Sequence, residues 1–189
     1  MKINNDTIVK DTDPILRERS VDVLLPLNKE DKTLLLELLD YVKKSTDPEI
    51  AEKENLRPAV GISAVQVGVL KKLNAMVVPV ENKNGDYVDQ IYALANPKII
   101  SHSLEKAYLK TGEGCLSVEN NHPGYVERSA RIKVRAFDVL QNREITLRLS
   151  GFLAIVFQHE LDHNDGILFY DRINKENPFA PIANAIEIE

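Results

Sequence analysis

Hydrophobic positions change period along the chain, and each change marks an element. Over residues 28–45 the apolar side chains Leu34, Leu35, Leu38, Leu39 and Val42 recur at helical spacing, Asn28 is placed to cap the first turn, and Glu30 and Asp31 put negative charge where the helix dipole favours it. Thr46-Asp47-Pro48 ends that helix, because a residue before proline avoids helical geometry. From Leu73 the pattern is strand-like, with an apolar run over 73–80, an Asn84-Gly85 hairpin signal and a second strand over 87–95. Ile132, Val134 and Ala136 then alternate with Arg131, Lys133 and Arg135, and a similar alternation over 144–149 after Gln141-Asn142 predicts a half-exposed antiparallel hairpin. Ser150 offers an N-cap for a later helix in which Phe152, Ile155, Val156 and His159 share one face, and Gly166 stops it. The order helix, strands, helix predicts an α+β fold, a single domain over residues 1–189, with mixed or antiparallel β-sheets packed around the late helix and a further helix near the N-terminus.

Composition agrees with a chain that buries its own core: 189 residues, 43% hydrophobic, with no repeat or low-complexity linker to divide it. A net charge of -5 and a pI near 5.5 argue against nucleic-acid specificity and against an anionic membrane as partners. The first residues lack an apolar signal core, and no run of about 18 apolar residues occurs. A cytoplasmic protein is expected. The lone cysteine, Cys115, can form no internal disulfide, so its thiol is either a small buried hydrophobe or a working group.

The late helix holds His159-Glu160-Leu161-Asp162-His163, whose two histidines at i and i+4 project one turn apart on one face and can share a cation. The carboxylate between them is the group that zinc hydrolases use to take a proton from water and pass it to a leaving group. A catalytic ion needs a third protein ligand and an open position. In one metalloprotease pattern the third ligand is a histidine six residues after the second, but Phe169 stands there. Asp171 would suit a carboxylate-ligand zinc peptidase. Cys115, in Glu113-Gly114-Cys115-Leu116-Ser117, would make a Cys-His-His site, and its thiolate suits ferrous iron as well as zinc. A non-catalytic module with a structural metal is a third reading, but such sites usually have four protein ligands and no use for Glu160. His102 and His122 sit in polar, loop-like stretches and read as solvated.

Three segments together resemble the peptide deformylase family. Ala59-Val60-Gly61-Ile62-Ser63-Ala64-Val65-Gln66 corresponds to the family's Gly-x-Gly-x-Ala-Ala-x-Gln, Glu113-Gly114-Cys115-Leu116-Ser117 to its second motif, and Gln158-His159-Glu160-Leu161-Asp162-His163 to its third. The last two match without change; the first departs at Ala59 and Ser63. Resemblance runs from Asp13-Pro14-Ile15-Leu16-Arg17 to Phe169-Tyr170-Asp171-Arg172-Ile173, and the long segment before the second motif with Pro123-Gly124-Tyr125 after it looks like the longer-insert branch of Gram-positive bacteria and mollicutes.

The resemblance implies a hydrolase that removes the formyl group from the N-terminal formylmethionine of nascent peptides, meeting the ribosome transiently. It implies one Fe2+ ion on Cys115, His159 and His163, for which Zn2+, Ni2+ or Co2+ can substitute, with Glu160 as proton carrier. Oxyanion donors would be the Gln66 side-chain amide and the Leu116 N–H, and Gly61 would let the substrate backbone lie close. Val60, Phe152, Ile155 and Val156 are placed by motif and helical spacing to line a methionine pocket, with ordinary core packing as the plainer account of each. Glu113 reads also as an arginine's partner, and Gln158 as an orienter of a metal ligand. The acidic end, Ile186-Glu187-Ile188-Glu189, reads as a short tail with no basic docking segment.

Overall fold

The computed structural model describes residues 2–189. Asn28 caps α1 (Lys29–Ser45) as its spacing predicts, its Oδ1 accepting the Asp31 N–H at 2.7 Å. Pro48 not only closes that helix but opens another: Asp47 caps α2 (Pro48–Glu54) through the Glu49 and Ile50 N–H groups. So short an element carries too little periodicity to be read from sequence.

The strands follow as β1 (Gly61–Ser63), β2 (Leu73–Glu81), β3 (Tyr87–His102), β4 (Lys106–Leu109), β5 (Arg128–Ser129), β6 (Arg131–Asp138) and β7 (Arg143–Ser150), then α3 (Gly151–Asn164) and β8 (Ala185–Ile188). Five of them form an antiparallel sheet in the order β1-β2-β3-β6-β7, and β5-β4-β8 form a second sheet in which β4 and β8 run parallel. The fold is α+β with one antiparallel and one mixed sheet. The residues expected as an acidic tail are thus a strand, held also by the Tyr108 hydroxyl donating to Glu187 at 3.0 Å.

Alternation along β2 and β3 divides the core. Ala75, Val77, Ala93 and Ala95 face Leu35, Leu38, Leu39 and Val42 of α1, while Met76, Val78 and Leu94, with Ile132 and Val134, face Ala154, Phe157 and Leu161 of α3. The large sheet is therefore sandwiched between the two helices. Phe157 is fully buried, and truncating such a side chain to alanine costs about 3–5 kcal/mol.

Several boundaries differ from the sequence pattern. β2 and β3 pair out to Glu81 and Tyr87, so their loop spans 82–86 and is organised by Asn82, whose Oδ1 accepts the Asn84 and Asp86 N–H groups. β3 runs on to His102 through two register shifts, which blur the alternation past residue 95. Ser150 occupies the N-cap position of α3, but its side chain makes no capping bond. Gly166 ends the α3 turn at φ +72, where a β-carbon would also collide with the Arg17 carbonyl.

Candidate metal centre and active site

α3 is buried on nearly every side, from Ala154 to Asn164, so its histidines project into protein rather than water. His159 and His163 lie one turn apart with ring centroids 5.1 Å from each other. The loop between β4 and β5 brings Cys115 to them, its Sγ 3.4 Å from His163 Nε2. The donor atoms of Cys115, His159 and His163 all lie within 4.8 Å of one another. A tetrahedral ion with bonds of about 2.0–2.3 Å holds its ligand atoms roughly 3.5 Å apart, so one thiolate and two imidazoles at this spacing fit such an ion.

The other sequence candidates for a ligand go elsewhere. Asp171 pairs with Arg17 and accepts the Leu168 N–H at 2.9 Å. Phe169 packs parallel to the His159 ring at 6.1 Å. His102 is exposed at the end of β3. His122, expected as solvated, instead stacks on Tyr170 at 4.2 Å.

A buried ion network stands behind the metal triad. His159 Nδ1 is 2.8 Å from Glu113 Oε2, which leaves Nε2 for the thiolate side. Arg128 donates to both Glu113 oxygens at 2.9 and 2.8 Å and also to Asp162, which accepts two further bonds from Arg172 at 2.6 Å. Burial pushes the Glu113 carboxyl up, but Arg128 and then His159 more than reverse this and bring it to about 2. Burial likewise pushes the Cys115 thiol up, and the two imidazoles hold it well below its ordinary value. His159 is lowered by burial but raised further by Cys115 and Glu113. The centre therefore favours a thiolate, the form that binds metal. Gln158 orients no ligand directly: its amide clamps Ser129 N–H and carbonyl at 2.8 and 2.9 Å, fixing β5, the strand that carries Arg128.

Glu160 has partners outside this network. Its Oε2 lies 2.9 Å from the Ser63 hydroxyl, and burial raises its carboxyl, only partly countered by the two histidines. A β-carbon on Gly61 would stand 2.6 Å from Glu160 Oε1 and 2.7 Å from Cδ and Cγ. Gly61 thus makes room for Glu160, and not only for a substrate backbone as its motif position implies. Gln66 is 1% exposed; its Oε1 accepts the Ser63 N–H at 2.9 Å, and its Nε2 reaches Ser117 Oγ at 3.1 Å and Cys115 Sγ at 3.5 Å.

Cys115, His159, Glu160, Gln66 and Gly61 border one cavity of about 380 Å³, along with Leu116 and the Val60, Phe152, Ile155 and Val156 side chains. Phe152, Ile155 and Val156 of α3, at i, i+3 and i+4 before His159, thus line this cavity. Ile155 also packs against Ala107 and Ala130 of the second sheet, so it serves core and cavity together.

The polypeptide deformylase family model matches residues 5–179 of this chain. The chain belongs to the polypeptide deformylase family. Peptide deformylase 2 of Bacillus subtilis (strain 168) is 50% identical over 187 residues, covering 99% of each chain. Peptide deformylase 2 of Bacillus cereus is 52% identical over 173 residues, covering 92% of this chain and 91% of the relative. Among solved structures, peptide deformylase from Thermus thermophilus superposes with a TM-score of 0.68 at 31% identity, covering 90% of this chain and 86% of that one. Class I type b peptide deformylase from Acinetobacter baumannii, solved with Met-Ala-Ser bound, gives 0.68 at 30% identity, covering 92% and 100%. As a deformylase, the chain is a metal-dependent hydrolase that removes the N-formyl group of newly made polypeptides, and its Bacillus relatives place it in the Gram-positive branch.

Some contacts that support the site of this deformylase carry no local sequence signal. Ser117 holds the Gln66 amide, while Val9 and Asp11 donate backbone N–H bonds to Gln66 and Ser117 carbonyls at 2.8 Å, strapping two motif loops together. The supporting pair Arg128 and Asp162 is 34 residues apart, and only the fold brings it together.

Proposed function

We propose that Cys115, His159 and His163 hold one Fe2+ ion, and that Glu160 carries the proton in hydrolysis of an N-formylmethionyl peptide. One observation supports this most: a thiolate and two imidazoles converge beside a buried carboxylate at one end of a largely apolar cavity. A soft thiolate with two imidazoles suits iron, and Zn2+, Ni2+ or Co2+ fit the same donors. Held by these three residues, such an ion would supply Lewis-acid activation of water and of the formyl carbonyl.

Glu160 takes the proton from the attacking water and returns it to the departing amine, a double role for which its raised carboxyl is suited. As charge develops on the formyl oxygen, the Gln66 Nε2 hydrogen now directed at Cys115 and the Leu116 N–H serve as donors. Each donor of this kind is typically worth about 3 kcal/mol of barrier. β1 is an edge strand of the large sheet, so an extended peptide adds along Gly61 as a further strand. Its methionine side chain then enters between Val60, Phe152, Ile155 and Val156. The Acinetobacter relative, with Met-Ala-Ser bound, supports a peptide that begins with methionine.

The substrates are nascent chains, so we place the enzyme in the cytoplasm with a transient ribosome encounter; among the described residues no helix is long and apolar enough to cross a membrane. Anaerobic purification with metal analysis, followed by formate release from an N-formylmethionyl peptide, tests the proposal. Glu160→Ala should keep its metal and release essentially no formate; normal turnover by that variant removes the proton carrier.

A further inference from the structure

Ser63 replaces an alanine of the family's first motif, and the structure gives its hydroxyl a specific partner. Ser63 Oγ lies 2.9 Å from Glu160 Oε2 and 2.9 Å from the Glu160 carbonyl. It has one hydrogen to give. Asn74 decides which oxygen receives it. The Asn74 side-chain atom 3.0 Å from the Glu160 carbonyl must be the amide nitrogen, since a carbonyl only accepts, and the same nitrogen donates to Ser63 Oγ at 2.7 Å. Asn164 Nδ2 donates to Asn74 Oδ1 at 2.9 Å and fixes this orientation from behind. With the carbonyl served by Asn74 and the serine oxygen already accepting, the Ser63 proton is left for the carboxylate. Ser63, Asn74 and Asn164 are all buried, so water does not compete for these bonds.

We propose that Ser63 is a positioning residue for deformylation: its hydroxyl, oriented by Asn74, holds Glu160 Oε2 in place and leaves Oε1 over Gly61 at the cavity. The proposal rests on the proton-carrying role of Glu160. Gly61 limits Glu160 from one side, because its missing β-carbon is the space that Oε1, Cδ and Cγ occupy. Ser63, two residues on in extended geometry at φ -112 and ψ 148, presents its side chain to the same carboxylate. Two residues of one edge strand thus set the carboxylate, by shape at one end and by a hydrogen bond at the other. A chain with alanine at this position keeps the space but lacks the bond.

The test uses metal-loaded enzyme and formate release from an N-formylmethionyl peptide. Ser63→Ala removes one atom and creates the residue that the family pattern carries, so it folds. Losing one hydrogen bond to a buried carboxylate should lower kcat by about tenfold, with KM within about twofold of the parent and metal stoichiometry unchanged. In a Glu160→Ala background, under single-turnover conditions, adding Ser63→Ala should leave the residual rate unchanged, because the group being positioned is gone. An unchanged kcat for Ser63→Ala overturns the proposal, as does a loss that appears in KM, or an equal loss in the Glu160→Ala background. Full turnover by Glu160→Ala alone would instead overturn the proton-carrying role, so the two failures are distinguishable.

Discussion

Gly61 and Glu160 are in such close apposition that a β-carbon on the first would stand 2.6 Å from a carboxylate oxygen of the second. The glycine at this edge-strand position is therefore a requirement of the Glu160 carboxylate as it is placed. Gly61→Ala must push Glu160 aside, and because Cγ as well as the terminal atoms is crowded, a rotation of the last bond does not relieve it. We expect kcat to fall by more than about tenfold while bound metal is retained, since a misplacement of about 1 Å is costly to catalysis. Assay of formate release beside metal analysis separates the two effects; a fully active Gly61→Ala enzyme would contradict this reading.

Glu113 links the metal triad to the arginine network, and its charge has a signature in pH. Its carboxyl is near 2 in the folded protein against an ordinary 4.5, so the stabilisation is fully present above about 4.5 and is lost as pH falls through about 2. A difference of this size is worth at most about 3 kcal/mol. Urea unfolding of chelator-stripped protein between pH 5 and pH 3 should therefore show a fall in stability that Glu113→Gln lacks. The same substitution should weaken metal affinity by roughly 10–100-fold, because His159 loses the charged acceptor that orients its ring and raises its basicity. Identical acid profiles for the two proteins would refute the assignment.

Phe152 belongs to the cavity wall and is only half-buried, so its loss should act on substrate more than on fold. Phe152→Ala is expected to raise KM for an N-formylmethionyl peptide by about tenfold with kcat nearly unchanged, the pattern of lost uniform binding. Steady-state kinetics check this. A fall in kcat at constant KM would place Phe152 in the chemistry instead of the pocket.

The parts of this site that the sequence discloses are those whose geometry is local. Two histidines four residues apart on a helix must share a face, and Phe152, Ile155 and Val156 must lie on the stripe that leads to His159. Cys115 is 48 residues from His163, and only its motif and its solitude as a cysteine mark it. Ser63 and Glu160 are 97 residues apart, so their bond has no local trace, and the sequence marks Ser63 only as a departure from the family motif. Gly61 shows the same limit in another form: its motif says that something approaches closely, and the fold is needed to show that this is Glu160. In the scaffold, β8 is invisible for a comparable reason, since a parallel partner 79 residues from β4 is fixed by topology and not by alternation.

The sulfur of Cys115 is the ligand on which the proposed chemistry most depends. X-ray absorption at the zinc edge of the zinc-loaded protein should show one sulfur at about 2.3 Å and two nitrogen neighbours at about 2.0–2.1 Å, with the sulfur contribution gone in Cys115→Ser. A first shell containing only nitrogen and oxygen in the unmodified protein would contradict it.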